Sequence, residues 1–404
     1  MFNALSIVGF IVAKCLVEIL LSTLSHNQKI LFFTSPIGLG HATRDIAIAE
    51  KLKQIVNDEI LFISGGAAYD LISKEGFQAL NLYRPPSFTV ESGKLRNSFV
   101  WLMKYIIYYK RCKKIAEEVI RKASHKYPVI VSDEDFASIA VSQNTILSKN
   151  ILIYDMVEPT ANTINDKTSR HGITSTYGNI KFENKIGETH FTSGFLHEIE
   201  KKMNRSMRHL IDKCDKVIIP DFGDNKANLV YVGPIVREVK SERKSLRYNF
   251  GLTRKTILVC AGGTDAGRHL IQKSLEAYRK LKKRFDVDLI LVSGPNLKLD
   301  DSNDFYNLGF VDNLHEYVYA SDLVISLAGR STIDESTVYG TPGIFIPIKN
   351  HFEQEQNALR LGYKYEDISK LERLIEEKLE LSHRNPILNS RGAEVAAKII
   401  SEIL

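Results

Sequence analysis

Cysteine is scarce in this sequence, which contains four in 404 residues. Cys15, Cys112, Cys214 and Cys260 lie far apart and form neither a C-x-x-C pair nor a Cys/His spacing that could hold a metal. The sequence therefore indicates a reducing compartment and no structural zinc site.

A strong net charge is also lacking. The 54 Lys and Arg residues against 48 Asp and Glu give +6, which is too dilute over this length to indicate a nucleic-acid partner. Hydrophobic residues make up 44% and charged residues 25% of the chain. Both values are close to globular averages and argue against a disordered, collagen-like or polytopic membrane protein. The length favours two domains of roughly 200 residues each.

The first 25 residues are mostly apolar. Residues 2–24 are long enough to cross a bilayer as a helix, but Lys14 and Glu18 interrupt them. A cleaved signal peptide fits poorly, because no basic segment precedes the apolar run and no A-x-A site ends it. We expect residues 1–25 to form a single-pass membrane anchor, a helix lying in the membrane interface, or a helix packed on the protein. Either membrane arrangement would hold the globular part at the cytoplasmic face of a cell membrane.

From Lys29 onward, short β-branched and aromatic runs alternate with helical patterns, which is typical of βαβ units and parallel sheets. Strands are predicted at 29–35, 59–64, 79–83, 128–132, 151–155 and 216–220, then at 256–261, 288–293, 306–311, 323–327 and 343–348. The pattern predicts an α/β chain of two Rossmann-like, doubly wound domains, residues 29–238 and 239–404. Their junction is expected near 231–245, and a last helix at 390–404, whose packing position the sequence does not predict.

The first glycine turn follows the first predicted strand, in the segment SPIGLGHATRD. Gly38 and Gly40 precede a helix, a geometry that directs free backbone N–H groups and the positive helix end at an anion such as phosphate. His41 could accept a proton from a hydroxyl in the cleft, or could simply be a capping or hydrogen-bonded side chain. Arg44 is a phosphate or sugar contact, or a solvated side chain.

The second half contains a matching turn, in which Gly262, Gly263 and Thr264 follow its first strand. Because ligands of doubly wound folds bind beyond the carboxyl ends of the strands, the two glycine turns are expected to face one another across a cleft between the domains.

Two further segments of the second half carry polar residues at strand ends. In LAGRSTIDE, Gly329, Ser331 and Thr332 lie at a strand-to-helix turn, followed by Glu335, whose carboxylate could accept both vicinal ribose hydroxyls. Ser331 or Thr332 could instead be the N-cap of the helix. Glu353 and Gln354 follow the last strand, and a solvated loop is the alternative there.

Five blocks of the sequence, taken in order, carry a family resemblance. They are GLGHATRDIAIAEKL, YVGPIVR, AGGT, GFVDNLHEYVYASDLVISLAGRSTIDE and GTPGIFIPIKNHFEQEQNA. These blocks resemble those of the MurG-like GT-B glycosyltransferases, a family that includes the lipid-linked GlcNAc transferases and the eukaryotic enzyme that adds the second GlcNAc to dolichyl pyrophosphate. The similarity runs from about Lys29 to Gly362, and 320–358 is its most specific part.

The resemblance implies a role for each matching residue. Residues 29–238 would bind the acceptor, with Gly38 and Gly40 near its pyrophosphate and His41 as the base. Residues 239–404 would bind the nucleotide sugar, with Gly263 and Thr264 at the diphosphate, Phe310 and Val311 at the nucleobase, Glu335 at the ribose, and Glu353 and Gln354 near the donor sugar. Two positions depart from the family pattern, because Leu39 replaces a glycine before the histidine and Glu353 replaces a glutamine.

The segment DED at 133–135 ends a predicted strand of the first half and is a rival source of the base. The acid Asp133 is therefore included among the acceptor-side residues. The triplet also has the D-x-D spacing of metal-dependent transferases of another fold, but the predicted donor-phosphate turn lies in the other domain. We therefore expect no metal and no cofactor beyond the nucleotide-sugar substrate.

Residues 99–114 place the only Trp beside three Tyr and end in a cluster of cations. Aromatic rings and cations suit a lipid headgroup interface, and an ordinary core helix with a basic end is the alternative.

Together these features predict an inverting glycosyltransferase that moves a sugar, expected to be GlcNAc from UDP-GlcNAc, onto a polyprenyl- or dolichyl-pyrophosphate-linked sugar. It would act at a membrane surface in the assembly of an N-glycan or cell-envelope glycan precursor. The alternatives are a UDP-GlcNAc 2-epimerase, which would need no lipid, and a non-catalytic membrane scaffold for a separate glycosyltransferase.

Overall fold

The computed structural model describes residues 28–145, 148–155, 202–263, 265–295, 297, 304–381 and 390–404. The predicted apolar helix at 1–25 lies outside these residues. Among the helices of the described ranges, none is both long enough and apolar enough to cross a bilayer.

Within its described residues, the first half of the chain forms nine strands and five helices. The strands are β1 (Gln28–Thr34), β2 (Ile60–Ser64), β3 (Gln78–Asn81), β4 (Thr89–Glu91), β5 (Lys94–Arg96), β6 (Ser124–Asp133), β7 (Lys149–Ile153), β8 (Lys216–Ile219) and β9 (Leu229–Tyr231). The helices are α1 (Gly40–Leu52), α2 (Gly66–Lys74), α3 (Ser98–Ala123), α4 (Phe136–Ser142) and α5 (202–212).

Seven of these strands form one parallel sheet in the order β3-β2-β1-β6-β7-β8-β9. Its central strand β1 is buried on both faces, with residues 30–33 at 0% exposure, because the crossover helices cover the sheet on both sides. The register pairs Thr34 of β1 with Asp133 of β6. The carboxyl ends of the two central strands therefore lie side by side, where the order of the strands reverses.

The second half forms a five-stranded parallel sheet in the order β12-β11-β10-β13-β14. Its strands are β10 (Lys255–Cys260), β11 (Val287–Val292), β12 (Tyr306–Asn307), β13 (Leu323–Leu327) and β14 (Gly343–Ile346). The helices of this half are α6 (Arg243–Asn249), α7 (Arg268–Leu281), α8 (Leu314–Ala320), α9 (Arg330–Tyr339), α10 (Phe352–Arg360), α11 (Leu371–Leu379) and α12 (Gly392–Ser401). The predicted α/β class with parallel, doubly wound sheets is confirmed.

The last helix, α12, packs on the first sheet. Ala393, Ala396, Ala397 and Ile400 of α12 are buried in the same apolar core as Ile46 of α1. The chain therefore crosses from the first sheet to the second and returns at its end.

The hairpin β4–β5 of the first half extends to the second half. Leu95 N–H donates to the carbonyl of Lys349 at 2.9 Å, and Lys349 N–H donates to the carbonyl of Gly93 at 2.9 Å. The hydroxyl of Tyr365 donates to the carbonyl of Ser92 at 2.6 Å. The hairpin thus joins the two sheets on one side of the space between them.

Helix α3 packs its tryptophan against the protein. Trp101 stacks between Phe88 and Tyr105, at ring-centroid distances of 4.6 and 5.0 Å, and its indole N–H donates to the carbonyl of Pro86 at 3.1 Å. Met103 and Ile107 lie on the outer face of the helix and are 43% and 54% exposed, while Phe99 and Val100 are exposed beside the cavity that they line.

A candidate active site between the two sheets

A cavity of about 2010 Å³ opens between the carboxyl ends of the two sheets. Its lining includes almost all of the residues that the sequence singled out: Gly38, Gly40, His41, Arg44, Gly262, Gly263, Phe310, Val311, Gly329, Ser331, Thr332, Glu335, Glu353 and Gln354. Asp133 lies directly behind His41. Thr264 is outside the described residues. The structure thus brings these residues into one cavity, while the role of each remains a prediction.

The two glycine turns touch one another. A Cβ atom added at Gly263 would lie 3.1 Å from the backbone nitrogen of Leu39, closer than side chains normally approach. A Cβ atom added at Gly40 would lie 3.0 Å from the hydroxyl oxygen of Ser331. Gly38 and Gly262 have φ angles of +83° and +79°, which favour glycine. The absence of side chains therefore lets the anion-binding turns of both sheets meet at the floor of the cavity.

Three ionisable side chains meet at the end of β6. His41 and Arg44 lie one turn apart at the start of α1, so both reach the carboxylate of Asp133. The His41 Nδ1 atom is 2.9 Å from Asp133 Oδ1, and Arg44 donates from Nε to Oδ2 at 2.9 Å and from Nη2 to Oδ1 at 2.5 Å. Arg44 also pairs with Asp155 at the end of β7. The alternative that Arg44 is solvated is wrong, because this residue is 6% exposed.

Asp133 favours a proton on His41. Burial lowers the pKa of His41, but the charge and hydrogen bond of Asp133 outweigh it and raise the pKa to about 10. In return, Arg44 and His41 overcome the effect of burial on Asp133 and hold the pKa of that carboxyl well below its usual range. The cluster therefore orients the imidazole of His41, with Nδ1 bonded to the carboxylate of Asp133 and Nε2 facing the cavity.

The carboxylates of the DED segment have separate environments. Asp133 is 0% exposed and is bonded to His41 and Arg44. Asp135 is the N-cap of α4, accepts from Ala137 N–H at 3.1 Å, and accepts from the hydroxyl of Tyr83 at 2.6 Å. Of the three, only Glu134 lines the cavity. In the described part of the chain, no group of three or more His, Cys, Asp or Glu side chains could hold a metal ion.

On the second sheet, Glu335 is buried in the wall of the cavity. It lies in the second turn of α9, whose N-cap is Gly329, so the alternative of an N-cap at Ser331 or Thr332 is wrong. Glu335 is 5% exposed, and among the described residues no hydrogen-bond partner of its carboxylate is found. Burial raises the pKa of Glu335 to about 8, against the opposing charge of Arg237. Once it has lost its proton, the carboxylate of Glu335 is suited to accept hydrogen bonds from ligand hydroxyls.

The segment after β14 completes the wall. Glu353 and Gln354 lie in the first turn of α10 rather than in a solvated loop. The side-chain oxygen of Gln354 accepts from the backbone N–H of Ile348 at 3.1 Å, and its amide nitrogen takes no part in this bond. Glu353 is near enough to Glu134 of the first sheet to raise the pKa of that carboxyl.

Ionic contacts join the two sheets beside the cavity. Arg330 donates to Asp334 in its own helix at 2.9 Å, and to the Asp221 carboxylate and the Pro220 carbonyl of the first sheet at 3.2 and 2.8 Å. Sequence reasoning missed Asp155 and Arg330. Asp155 could have been found, because it ends the predicted strand 151–155 at the same edge of the sheet as Asp133.

Comparison with known proteins shows similarity to glycosyltransferases. Residues 256–400 match the model of the glycosyltransferase family 28 C-terminal domain. An uncharacterized glycosyltransferase of Methanopyrus kandleri is 30% identical over 228 residues, which cover 50% of this chain and 64% of that protein. The UDP-N-acetylglucosamine--N-acetylmuramyl-(pentapeptide) pyrophosphoryl-undecaprenol N-acetylglucosamine transferase of Caldicellulosiruptor saccharolyticus is 28% identical over 184 residues, covering 41% of this chain and 50% of that protein. The chain thus aligns with between half and two thirds of the length of each relative.

The fold is also that of a solved glycosyltransferase. The crystal structure of CalG4, the calicheamicin glycosyltransferase, superposes with a TM-score of 0.57 at 12% identity and covers 93% of this chain and 98% of that one. At this identity the match concerns the fold, which is GT-B: two Rossmann-like domains that face a cleft. The comparisons thus give a GT-B fold for the chain and a similarity of residues 256–400 to the glycosyltransferase family 28 C-terminal domain.

Proposed function

We propose that this chain transfers GlcNAc from UDP-GlcNAc, with inversion, to a sugar carried on a lipid pyrophosphate. The observation that carries the proposal is a single cavity in which the His41–Asp133–Arg44 cluster and the Glu335 carboxylate are joined through two touching glycine turns. A UDP-GlcNAc donor and a lipid-pyrophosphate acceptor are also what the name of the Caldicellulosiruptor relative states for that protein.

The donor would occupy the second sheet. Glu335 would accept both ribose hydroxyls of the nucleotide, and Phe310 and Val311 would border its base. The backbone N–H groups of the turn at Gly262 and Gly263 would hold the diphosphate, where they stabilise the charge that develops as it leaves.

The acceptor would occupy the first sheet. The turn at Gly38 and Gly40, with the positive end of α1, would contact the acceptor pyrophosphate. Its sugar hydroxyl would then attack the anomeric carbon from the side opposite the departing diphosphate, while a base removes the hydroxyl proton. His41 or a carboxylate at the end of β6 is positioned to supply that base.

The proposal is tested by transfer. The purified chain in detergent is given radiolabelled UDP-GlcNAc and a short-chain polyprenyl-pyrophosphoryl-GlcNAc, with a polyprenyl-pyrophosphoryl-muramyl peptide in a parallel reaction, and the products are identified by mass. A lipid product larger by one N-acetylhexosamine, together with UDP, is expected. Release of ManNAc without acceptor would favour the epimerase, and no turnover with either acceptor would contradict the proposed donor and acceptor.

We further propose that the outer face of α3 lies on an anionic membrane surface. Its exposed apolar side chains Met103 and Ile107 are followed on the same face by the exposed cation Arg111, and the cavity lining includes none of these three. Phe99, Val100 and Lys110 are also exposed, and they line the cavity next to this face. Apolar groups that enter the headgroup region beside cations that meet anionic lipid suit such a surface. The inner face of the same helix lines the cavity, so a lipid-borne acceptor would enter directly from the membrane.

The double substitution Met103→Ser and Ile107→Ser is expected to weaken binding to vesicles with 30% anionic lipid by about 30-fold, because each of the two apolar side chains lost from the interface costs on the order of 1 kcal/mol. Co-sedimentation with the vesicles measures binding by the parent and by the double variant. Both are tested in the full chain and in a form that lacks residues 1–25, so that any contribution of that segment is removed. The matched control, Ile55→Ser, removes a 50% exposed isoleucine beyond the far end of α1 and is expected to bind as the parent does. Equal binding by all forms would contradict the placement of α3.

A further inference from the structure

Glu134 has a backbone conformation that is costly for its residue type. Its φ angle is +52°, in the left-handed region, which disfavours a residue with a Cβ atom by ~1–2 kcal/mol. The conformation is held by the N–H of Glu134, which donates to the carbonyl of Ile153 at 3.2 Å. Strain of this kind persists where the surrounding structure enforces it and is concentrated at functional sites. In this conformation Glu134 lines the cavity, while its sequence neighbours Asp133 and Asp135 are buried.

The carboxylate of Glu134 lies opposite the Nε2 atom of His41. Glu134 Oε2 is 3.9 Å from His41 Nε2, while Oε1 accepts from the backbone N–H of Asp155 at 3.3 Å. The side chain of Glu134 is 27% exposed and that of His41 is 17% exposed. Two groups at this separation can both contact one hydroxyl oxygen placed in the cavity between them.

The charges around Glu134 come from both sheets. His41 and Arg44 of α1 favour its ionised form, whereas Asp155 at the end of β7 and Glu353 of α10 disfavour it. Burial is the largest effect, and the sum raises the pKa of Glu134 to about 7. His41, by contrast, is held in its protonated form by Asp133, and a group that already carries a proton cannot take another.

We propose that Glu134 is the catalytic base of the transfer reaction and that His41 is a cationic partner on the other side of the attacking hydroxyl. The assignment rests on the proposed function. The acceptor O–H bond breaks and its proton passes to Glu134 Oε2, the oxygen forms a bond with the anomeric carbon, and the bond from that carbon to the diphosphate breaks, with the electron pair leaving on the nucleotide. Glu134 then releases the proton to solvent. The charge of His41, at the start of α1, faces the region where the acceptor pyrophosphate would bind.

The test measures initial rates of GlcNAc transfer to polyprenyl-pyrophosphoryl-GlcNAc between pH 5.5 and 9. In the wild type, the rate is expected to rise with pH through a midpoint near 7, because the carboxylate must be ionised to accept the proton. Glu134→Gln is expected to lower kcat by ~10²–10⁴-fold and to abolish this rise, with UDP affinity within threefold of wild type. Glu134→Asn serves as a second charge-removing variant, because asparagine tolerates the left-handed conformation and so keeps the fold.

Variants of two neighbouring residues shift the midpoint of the pH–rate profile only if Glu134 acts as the base, and not if its role is merely structural. Glu353→Gln removes a negative charge facing Glu134, so the midpoint is expected to shift to lower pH. His41→Gln removes a positive charge, so the rate falls but the rise with pH persists, with its midpoint at higher pH.

The outcomes separate the two levels of the proposal. An active wild type whose Glu134→Gln and Glu134→Asn variants retain both rate and pH dependence would overturn the assignment of the base and leave the transferase function intact. Loss of the pH-dependent rise in His41→Gln alone would return the role of base to His41. A wild type that binds UDP but transfers GlcNAc to no lipid acceptor would overturn the proposed function, and with it the assignment.

Discussion

Replacing Asp133 with asparagine is expected to lower the transfer rate and to lower the free energy of unfolding by ~3–5 kcal/mol, the usual cost of removing one partner from a buried ion pair. The Asp133 carboxylate is 0% exposed and is the shared partner of His41 and Arg44. An amide cannot neutralise the Arg44 guanidinium, which would retain its ion pair with Asp155. The lower end of the range is therefore expected for stability. The rate falls because the imidazole of His41 is no longer oriented and loses the partner that keeps it protonated.

The pH dependence of stability follows from the same contact. The folded-state pKa of His41, about 10, lies above the ordinary histidine value of 6.5, so its contribution to stability is fully present below about pH 6.5 and is lost as the pH rises through about 10. In Asp133→Asn this loss between pH 6.5 and 10 should disappear, because burial alone lowers the pKa of the imidazole. Urea unfolding at several pH values measures the first effect, and an NMR titration of His41 measures the second.

An exposed ion pair provides the control for Asp133. Glu238 pairs with Lys51 at 2.5 Å, but its side chain is 55% exposed, so Glu238→Gln is expected to change the free energy of unfolding by less than ~1 kcal/mol. If Asp133→Asn also changed the free energy of unfolding by less than ~1 kcal/mol and left the titration of His41 unchanged, the buried cluster would not be what holds the imidazole.

Glu335→Gln is expected to weaken UDP binding roughly 100-fold. Two hydroxyl hydrogen bonds to a charged acceptor contribute ~1.5–3 kcal/mol each, and the loss of about 3 kcal/mol in all corresponds to this factor. Isothermal titration calorimetry with UDP provides the measurement. The control is 2′-deoxy-UDP, which lacks one hydroxyl: the wild type should bind it more weakly than UDP, and the variant should bind the two ligands alike.

The affinity of the wild type for UDP should also depend on pH. Burial raises the pKa of Glu335 to about 8, so below that pH the empty site holds a proton that the carboxyl group must lose to accept from two hydroxyls. Affinity is therefore expected to rise about tenfold per pH unit up to about pH 8, and to be flat for Glu335→Gln over the same range. Equal affinity of wild type and variant for UDP would place the ribose elsewhere in the cavity.

The fold could be predicted largely because it depends on local patterns. Strands β1, β6 and β10 each contain an uninterrupted apolar run, at 30–33, 129–131 and 257–260, and a parallel sheet covered on both faces requires such runs. The strand predicted at 306–311 is only Tyr306–Asn307, since Gly309 adopts a φ of +62° that ends it. The glycine turns and Glu335 were found because strand-end position alone brings them to one edge of each sheet.

The parts of the site that escaped prediction depend on contacts distant in sequence. The neighbours of Asp133 gave no sign that only Glu134 would reach the cavity, because its left-handed backbone is enforced by a bond to Ile153 of β7. Likewise, the composition of α3 suggested that Trp101 faces lipid. In the structure, the ring of Trp101 packs on Phe88 and Tyr105, and Met103 and Ile107 are the apolar side chains of the outer face.

The return of the chain to its first sheet constrains how the enzyme can open. The second half is joined to the first by the chain that precedes α6 and by α12, which packs on α1 of the first sheet. The β4–β5 hairpin adds a third connection through its hydrogen bonds to Lys349. A wide separation of the halves would break the hairpin contact or the packing of α12, so a small rotation that keeps both is the expected way for the cavity to open.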